Sequence, residues 1–221
     1  GNSLVYREGQ AAAGTAGATY TGSINVAPNA FAASGTALFS SNLAGGDVVA
    51  GVNDIGIFLG TTSGVNLVTR KGDAAPGTDS TFGNFSFSNV SLSDNGRMVT
   101  QSTLIGGSAL ANTDTGIWSG PTSGPLSLVA REGSAAPDTL GAVFGSLTGT
   151  PLQMNSVGQV LFQNSLVVGT GDATSANDSV LYAWDPIDGA TLVIREGDTI
   201  EVAPGDVRTV ASFGGSQFNN G

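Results

Sequence analysis

A short phrase that ends in Arg-Glu-Gly, or in Arg-Lys-Gly in one copy, recurs four times along the chain and limits its fold more than any other feature. The copies are LVYREG (4–9), LVTRKG (67–72), LVAREG (128–133) and LVIREG (192–197), so successive arginines are 63, 61 and 64 residues apart. A nearly constant period of this length is typical of tandem-repeat proteins, in which each repeat is one small unit that packs on its neighbours. The sequence therefore predicts an array of similar modules.

Three further landmarks recur with the same period, and each consists of turn residues next to an apolar run. The first is an Ala-Pro-like turn: AAAG (11–14), AAPG (74–77), AAPD (135–138) and VAPG (202–205). The second is a turn glycine: SGTALF (34–39), NGRMVT (95–100), VGQVLF (157–162) and NNG (219–221). The third is an Asn/Asp turn: NDIGIF (53–58), TDTGIW (113–118) and NDSVLYAW (177–184). Turn residues that alternate with short apolar runs indicate strands.

These landmarks divide each repeat into four short strands. We therefore predict an all-β fold, a β-propeller-like tandem repeat of four-stranded antiparallel sheets, with about 3.5 repeats of 61–64 residues. The repeats of known propellers span about 40–50 residues, so longer loops are expected here. The chain reads as one repeat domain, 1–221, with units at approximately 10–72, 73–133 and 134–197 and partial units at 1–9 and 198–221. Because an unpaired sheet edge invites pairing, we expect the array to be incomplete or to be completed by another chain.

The repeated arginines, Arg7, Arg70, Arg131 and Arg195, are interpreted as structural. Strand alternation gives each face of the LVxREG strand one apolar and one charged group, as expected for a strand between neighbouring modules. Arginine can pack its stem while its guanidinium binds a carbonyl or carboxylate. The carboxylates expected to pair with these arginines recur just before the third strand: Asp54, Asp114 and Asp178. A ligand clamp is the alternative, but a residue reused in every module favours packing between modules.

The chain contains no His and no Cys, which excludes the common general base, the usual zinc ligands and the Ser-His-Asp and Cys-His arrangements. Paired carboxylates remain, and a glycan-processing enzyme needs two of them at about 5–10 Å. The candidate groups are Asp185 with Asp188, and Glu196 with Asp198 and Glu201. Because DPIDG (185–189) reads as a hairpin turn, we predict no enzymatic activity and no catalytic residue.

No cofactor is expected, and calcium is the one candidate ligand. Asp and Asn oxygens in turns suit calcium, and the weak candidates are Asp54, Asp94 and Asp178. None of them lies in a D-x-D-x-D-G loop, so solvated turns are the preferred interpretation. Trp118 and Trp184 are expected at equivalent third-strand positions, which favours the core over a sugar-stacking surface.

Charge and composition limit the partners. A formal charge of −10 disfavours nucleic acid, because a binder must neutralise phosphates. The apolar runs are far shorter than the roughly 18–20 residues of a transmembrane helix. A single Lys, an acidic balance and many small polar residues favour a secreted or surface protein.

The landmarks resemble those of bacterial exported tandem-repeat proteins named after an Asn-x-x-Gly-x-x-Ala-Phe repeat, which carry one of several C-terminal anchors. NSVGQVLF (155–162) matches with Leu161 in place of Ala, while AASGTALF (32–39) and SDNGRMVT (93–100) keep the glycine. The resemblance extends over the chain and rests also on the LVxREGxxAPG phrase. It implies a propeller-like fold and an extracellular or cell-surface location, and it implies no reaction.

We therefore expect a bacterial structural or adhesive protein of the cell exterior that self-associates into a filament or another oligomer. The first alternative is a propeller module that binds a glycan or peptide. The second is a carboxylate-based glycan-processing enzyme.

Overall fold

Three antiparallel sheets follow one another along the chain. The computed structural model describes residues 6–27 and 29–213, and this part is all-β apart from one 3-10 helical turn, Phe87–Asn89. The strands of each sheet follow the order of the chain, with the short β6 of the second sheet pairing with β7 beside this path. None of the sheets in the described residues closes into a barrel. The predicted fold class, an all-β, propeller-like repeat of four-stranded sheets, is confirmed.

Each of the three sheets has four main strands in the order of the chain. The first sheet comprises β1 (Thr19–Asn25), β2 (Ala37–Ala44), β3 (Ile55–Thr61) and β4 (Gly64–Arg70). The second comprises β5 (Thr81–Phe85), the short β6 (Ser91–Leu92), β7 (Arg97–Ile105), β8 (Thr115–Pro121) and β9 (Ser127–Arg131). The third comprises β10 (Leu152–Met154), β11 (Val160–Ser165), β12 (Ser179–Asp185) and β13 (Gly189–Arg195). A hairpin of β14 (Thr199–Ala203) and β15 (Asp206–Thr209) follows.

The sheets lie inside the three units expected from the sequence, and the last strand of each sheet ends at the repeated arginine. The unit boundaries themselves stay predictions. The NNG landmark at 219–221 and the start of the first LVxREG copy lie outside the described residues.

Both faces of the second strand are apolar and buried. In β2, Leu38 and Phe39 point to opposite faces and are 1% and 5% exposed, and Met98 and Val99 of β7 are both fully buried. Alternating side chains reach opposite faces of a strand. Both faces of a sheet therefore need a cover; on the Phe39 side of the first sheet, Tyr6 provides it.

We name the two faces of each sheet by their neighbours. The N-face carries Phe58, Trp118 or Tyr182 in the three sheets, and in the second and third sheets it contacts the preceding sheet. The opposite C-face contacts the following sheet in the first and second sheets. The core between the first two sheets joins Leu38 and Ile57 to residues such as Met98.

The core between the second and third sheets has the same construction. Val99, Ile117 and Val129 of the second C-face pack with aromatic residues of the third N-face, including Phe162 and Tyr182. Burial of aliphatic and aromatic side chains stabilises a core by about 1.5–3 kcal/mol each. The sheets are thus held together mainly by apolar packing.

Hydrogen bonds between the turns that join the first two main strands of each sheet add a polar link. Asp94 accepts a hydrogen bond from the Ala33 amide of the preceding module, at 2.7 Å. Asn95 donates to the Val157 carbonyl of the following module, at 2.8 Å. In the NSVG turn, Asn155 accepts from the amides of Val157 and Gln159, at 3.2 and 2.9 Å, which fixes its conformation.

Replacing Ile117 by Ala should destabilise the fold far more than the matched change Leu181→Ala. Both residues occupy the same position of the third strand, facing the residue before the arginine. Ile117 is fully buried between two sheets, whereas Leu181 is partly exposed on the C-face of the third sheet. A buried Ile→Ala change costs about 2–5 kcal/mol, and the cost should fall with exposure. Chemical denaturation at low protein concentration measures both, and equal losses would contradict the stacking of sheets.

Candidate functional site: a repeated arginine clasp

The repeated arginines bind the loop between the second and third strands of their own sheet. We call this loop the outer loop; it spans 45–54, 106–114 and 166–178 in the three modules. Because the fourth strand runs antiparallel to the third, the arginine at its end lies beside the start of the third strand. The outer loop ends there, so its last residues are within reach of the guanidinium.

In the first module the guanidinium of Arg70 makes two contacts with this loop. Its Nε donates to the carbonyl of Asn53 at 2.5 Å, and its Nη1 donates to Oδ2 of Asp47 at 2.7 Å. The Arg70 side chain is only 7% exposed, whereas that of Asp47 is 36% exposed. The positive charge is therefore buried, and its partner carboxylate keeps contact with water.

The third module repeats this geometry. Nε of Arg195 donates to the Asn177 carbonyl at 2.5 Å, and Nη1 donates to Oδ2 of Asp172 at 2.7 Å. The backbone amide of Arg195 also donates to Asp198, at 2.7 Å. We call this set of contacts the arginine clasp.

The second module has a weaker form of the clasp. Nε of Arg131 donates to the Thr113 carbonyl at 3.0 Å, and Nη2 donates to the hydroxyl of Ser108 at 3.1 Å. Ser108 takes the place of the carboxylate, so this copy has no ion pair with the outer loop. The backbone contact is common to all three modules, and the charge pairing is optional.

The expected arginine partners were wrong. The carboxylates that bind Arg70 and Arg195 are Asp47 and Asp172, not Asp54 and Asp178. The prediction that the guanidinium binds a carbonyl or a carboxylate is correct. However, the clasp joins parts of one module and not two neighbouring modules. A signal existed in the sequence, because each outer loop contains a Gly-Asp or Gly-Ser pair: Gly46-Asp47, Gly107-Ser108 and Gly171-Asp172.

The three predicted aspartates, Asp54, Asp114 and Asp178, have a backbone role in common. Their carbonyls accept hydrogen bonds from a leucine amide within one residue of the end of the second strand: Leu43 at 2.8 Å, Leu104 at 2.6 Å and Leu166 at 2.7 Å. Lys71 Nζ also lies 3.3 Å from the Asp54 carboxylate.

Arg7 is the fourth repeated arginine, and it is exposed ahead of the first sheet. The backbone after it follows the repeat, since the Gly9 amide donates to the Tyr20 carbonyl at 2.9 Å. Gly72 and Gly133 make the same bond to Phe82 and Phe144. The phrase therefore sets the entry of the chain into the next sheet.

A second polar residue closes each outer loop on itself. Oδ1 of Asn53 accepts from the Val49 amide at 2.6 Å, and its amide group donates to the Asp47 carbonyl at 3.1 Å. Asn177 makes the equivalent contacts with Thr174 and Asp172. The loop is thus ordered from inside, and the arginine fixes it to the sheet.

The clasp changes the acidity of its carboxylates. Hydrogen bonds from Arg70 and Arg195 lower the pKa of Asp47 and Asp172, against a smaller opposing effect of desolvation.

Burial raises the pKa of Asp73, despite the hydrogen bond that it accepts from the Arg70 amide. Burial and Asp138 also raise the pKa of Tyr182 to about 12. Its hydroxyl stays protonated and donates to the Pro137 carbonyl at 2.6 Å.

The calcium candidates do not form a group. Oδ2 of Asp54 accepts from the Gly51 amide at 2.6 Å, and Asp94 binds the neighbouring turn through Ala33. In the described residues, no three His, Cys, Asp or Glu side chains lie together in a way that could hold a metal ion. The structure gives the carboxylate oxygens of Asp54 and Asp94 turn and loop contacts.

Three of the five carboxylates considered for catalysis, those of Asp185, Asp198 and Glu201, have local contacts. Asp185 accepts from the Ile187 amide and from Gln159, at 2.8 and 3.1 Å. Glu201 accepts from the Gly205 amide at 2.7 Å. Asp198 binds the Arg195 amide, as described above. These contacts are typical of turns.

The two tryptophans do not occupy equivalent positions, which corrects the expectation from sequence. Trp118 is equivalent to Tyr182, because both face a leucine of the fourth strand beside a bulge. Trp184 lies two residues further along β12. Both indoles are buried, at 0% and 5% exposure, so neither offers a sugar-stacking surface.

Sheets that repeat along the chain, each with an arginine clasp, define an all-β, propeller-like tandem-repeat protein. The sequence model of one protein family, described as a family of unknown function (DUF7453), matches residues 1–221. The chain belongs to this family. No curated protein and no solved structure matches the chain. In the part of the chain that the structure describes, no helix has the length and hydropathy of a membrane span.

Replacing Arg195 by Met should lower stability and flatten its dependence on acid pH. A hydrogen bond to a charged group contributes about 1.5–3 kcal/mol. The lowered pKa of Asp172 stabilises the fold above the ordinary aspartate pKa of about 3.9, and this contribution is lost as the pH falls towards the folded-state pKa. In Arg195→Met, the free energy of unfolding should therefore fall less between about pH 5 and pH 3 than it does in the parent chain.

The matched control is Arg208→Met, which removes an exposed ion pair with Asp206. Exposed pairs contribute little, so this variant should unfold like the parent chain. Urea denaturation at several pH values compares the three proteins. The same acid dependence in Arg195→Met and the parent chain would contradict the clasp's electrostatic role.

Proposed function

We propose that this chain is a non-catalytic structural or adhesive scaffold of the bacterial cell exterior, which works by associating with copies of itself. The main support is the use of its recurring residues. The apolar ones fill cores between sheets, and the recurring polar ones order loops and turns within a module or between neighbours. A chain whose repeated features all serve its own architecture suits a scaffold.

The cell-exterior part of the proposal rests on sequence. The acidic balance, the small polar residues and the resemblance to exported Asn-x-x-Gly-x-x-Ala-Phe repeat proteins all favour it. The chain lacks His and Cys, which are the most common catalytic groups. The candidate carboxylates of Asp185 and Glu201 accept hydrogen bonds from backbone amides in turns. These observations favour a scaffold over the carboxylate-based enzyme.

A glycan- or peptide-binding module is the second candidate, and one groove favours it. An open groove of about 410 Å³ beside the first sheet is lined by Tyr6, Ile24, Val26 and Phe31, among others. Phe31 is 66% exposed, and exposed aromatic rings can stack on sugars or fill hydrophobic pockets of a partner. The same groove also suits a protein surface.

We expect the purified 221-residue chain to associate as its concentration rises. Sedimentation velocity across a wide concentration range should show a shift from monomer to larger species. A monomer at every concentration would contradict the scaffold proposal. If that monomer also binds saturably on a glycan array, the second candidate takes its place, and release of reducing sugar would favour the enzyme.

A further inference from the structure

We propose that the C-face of the third sheet is an interaction surface that binds the N-face of the first sheet of a second copy of this chain. This inference rests on the self-association in the proposed function and names the two surfaces that form it. It follows from comparing equivalent positions in the three sheets.

The central strand shows the first difference between the sheets. Ile57, Ile117 and Leu181 each pair with the residue that precedes the repeated arginine, so they are equivalent. Ile57 and Ile117 are 1% and 0% exposed beneath the next sheet. Leu181 is only partly buried. The position is apolar in all three sheets, but it is covered in two.

The bulge in the fourth strand shows the same difference more clearly. Val129 and Val193 are the bulged residues of their sheets, two positions before the arginine. Val129 is 8% exposed in the core between the second and third sheets, whereas Val193 is 53% exposed. A valine at this position has a partner in the second sheet and lacks one among residues 6–27 and 29–213.

The C-face of the third sheet therefore carries an uncovered apolar surface. Besides Leu181 and Val193, it includes Leu161 and Ile194, which are both partly exposed. All five residues of β14 are exposed, so this strand is not buried against another sheet. Uncovered apolar surfaces of this kind mark interaction sites.

The N-face of the first sheet has a complementary exposed patch at its edge, whereas its centre at Tyr20 and Phe39 is already covered by Tyr6. Phe31 faces Ala37, as Leu92 faces Met98 in the second sheet. Leu92 is 7% exposed because it packs in the core between the first two sheets, whereas Phe31 is 66% exposed. Ile24 and Val26, at 38% and 51%, extend this exposed surface.

The pairing of these two surfaces follows the pattern of the two interfaces within the chain, although at the first N-face only the part around Phe31 is open. In both internal interfaces, the C-face of one sheet packs on the N-face of the next. A second copy supplies an N-face of the same type to the open C-face. Because the two surfaces differ, the contact is head-to-tail, and repeated contacts extend into an open chain or close into a ring.

The experiment uses two blocking variants and one control of the 221-residue chain. Val193→Glu places a charge on the open C-face, and Phe31→Glu places one on the open N-face. Leu110→Glu is the matched control, because Leu110 is 67% exposed in the outer loop of the middle module, away from both faces. Circular dichroism confirms that each variant keeps the β fold.

Sedimentation velocity should show that each blocking variant weakens self-association at least about tenfold, while Leu110→Glu associates like the parent chain. A mixture of the two blocking variants should form a dimer and nothing larger, because each retains one intact surface. A symmetric interface would not produce this recovery on mixing.

The outcomes separate the inference from the function beneath it. If the parent chain associates and both blocking variants associate equally well, the assigned surfaces are wrong and the scaffold proposal stands. If both variants are blocked but the mixture stays monomeric, the head-to-tail pairing is wrong. If the parent chain is monomeric at all concentrations, both the inference and the scaffold proposal are overturned.

Discussion

The presence of apolar side chains on both faces of each sheet is the constraint on which the rest of the structure depends. Leu38 and Phe39, and then Met98 and Val99, place apolar side chains on opposite faces of successive sheets. A sheet with two apolar faces is poorly stabilised alone and needs a neighbour on each side. The stacking of one module on the next follows from this property.

The arginine clasp has a different task, which is to hold a long loop on its own sheet. Arg70 and Arg195 bury their guanidinium groups, and each meets a carbonyl and a carboxylate. The carbonyl contact persists in the second module, where Ser108 replaces the carboxylate. The hydrogen bond from the arginine Nε to a backbone carbonyl is therefore the contact that all three modules share. Apolar packing joins modules, and the clasp gives each module its shape.

Much of the fold could be predicted because it depends on local patterns. Turn residues and alternating apolar side chains indicated four strands per repeat, and these strands are present. In the second sheet, a 3-10 turn at Phe87–Asn89 separates β5 from β6 and interrupts the regular pattern of four strands. A pattern of alternate polar residues does not reveal where a strand is interrupted.

The partners within the site could be predicted only in part. Recurrence identified the arginines, but it also pointed to Asp54 and Asp178, whose shared role is in the backbone. Asp47 and Asp172 were missed because the folding of the outer loop, and not sequence distance, brings them to the guanidinium. The tryptophans were misaligned for a similar reason, since pairing register decides equivalence and a landmark in sequence does not.

Hydrogen exchange of individual backbone amides in the monomeric chain tests the two-sided packing most directly. β8 and β12 are the equivalent central strands of the second and third sheets. If sheets are protected by neighbours on both faces, the amides of β8 should exchange much more slowly than those of β12, whose sheet has one open face. Equal protection of the two strands, or slower exchange in β12, would contradict it.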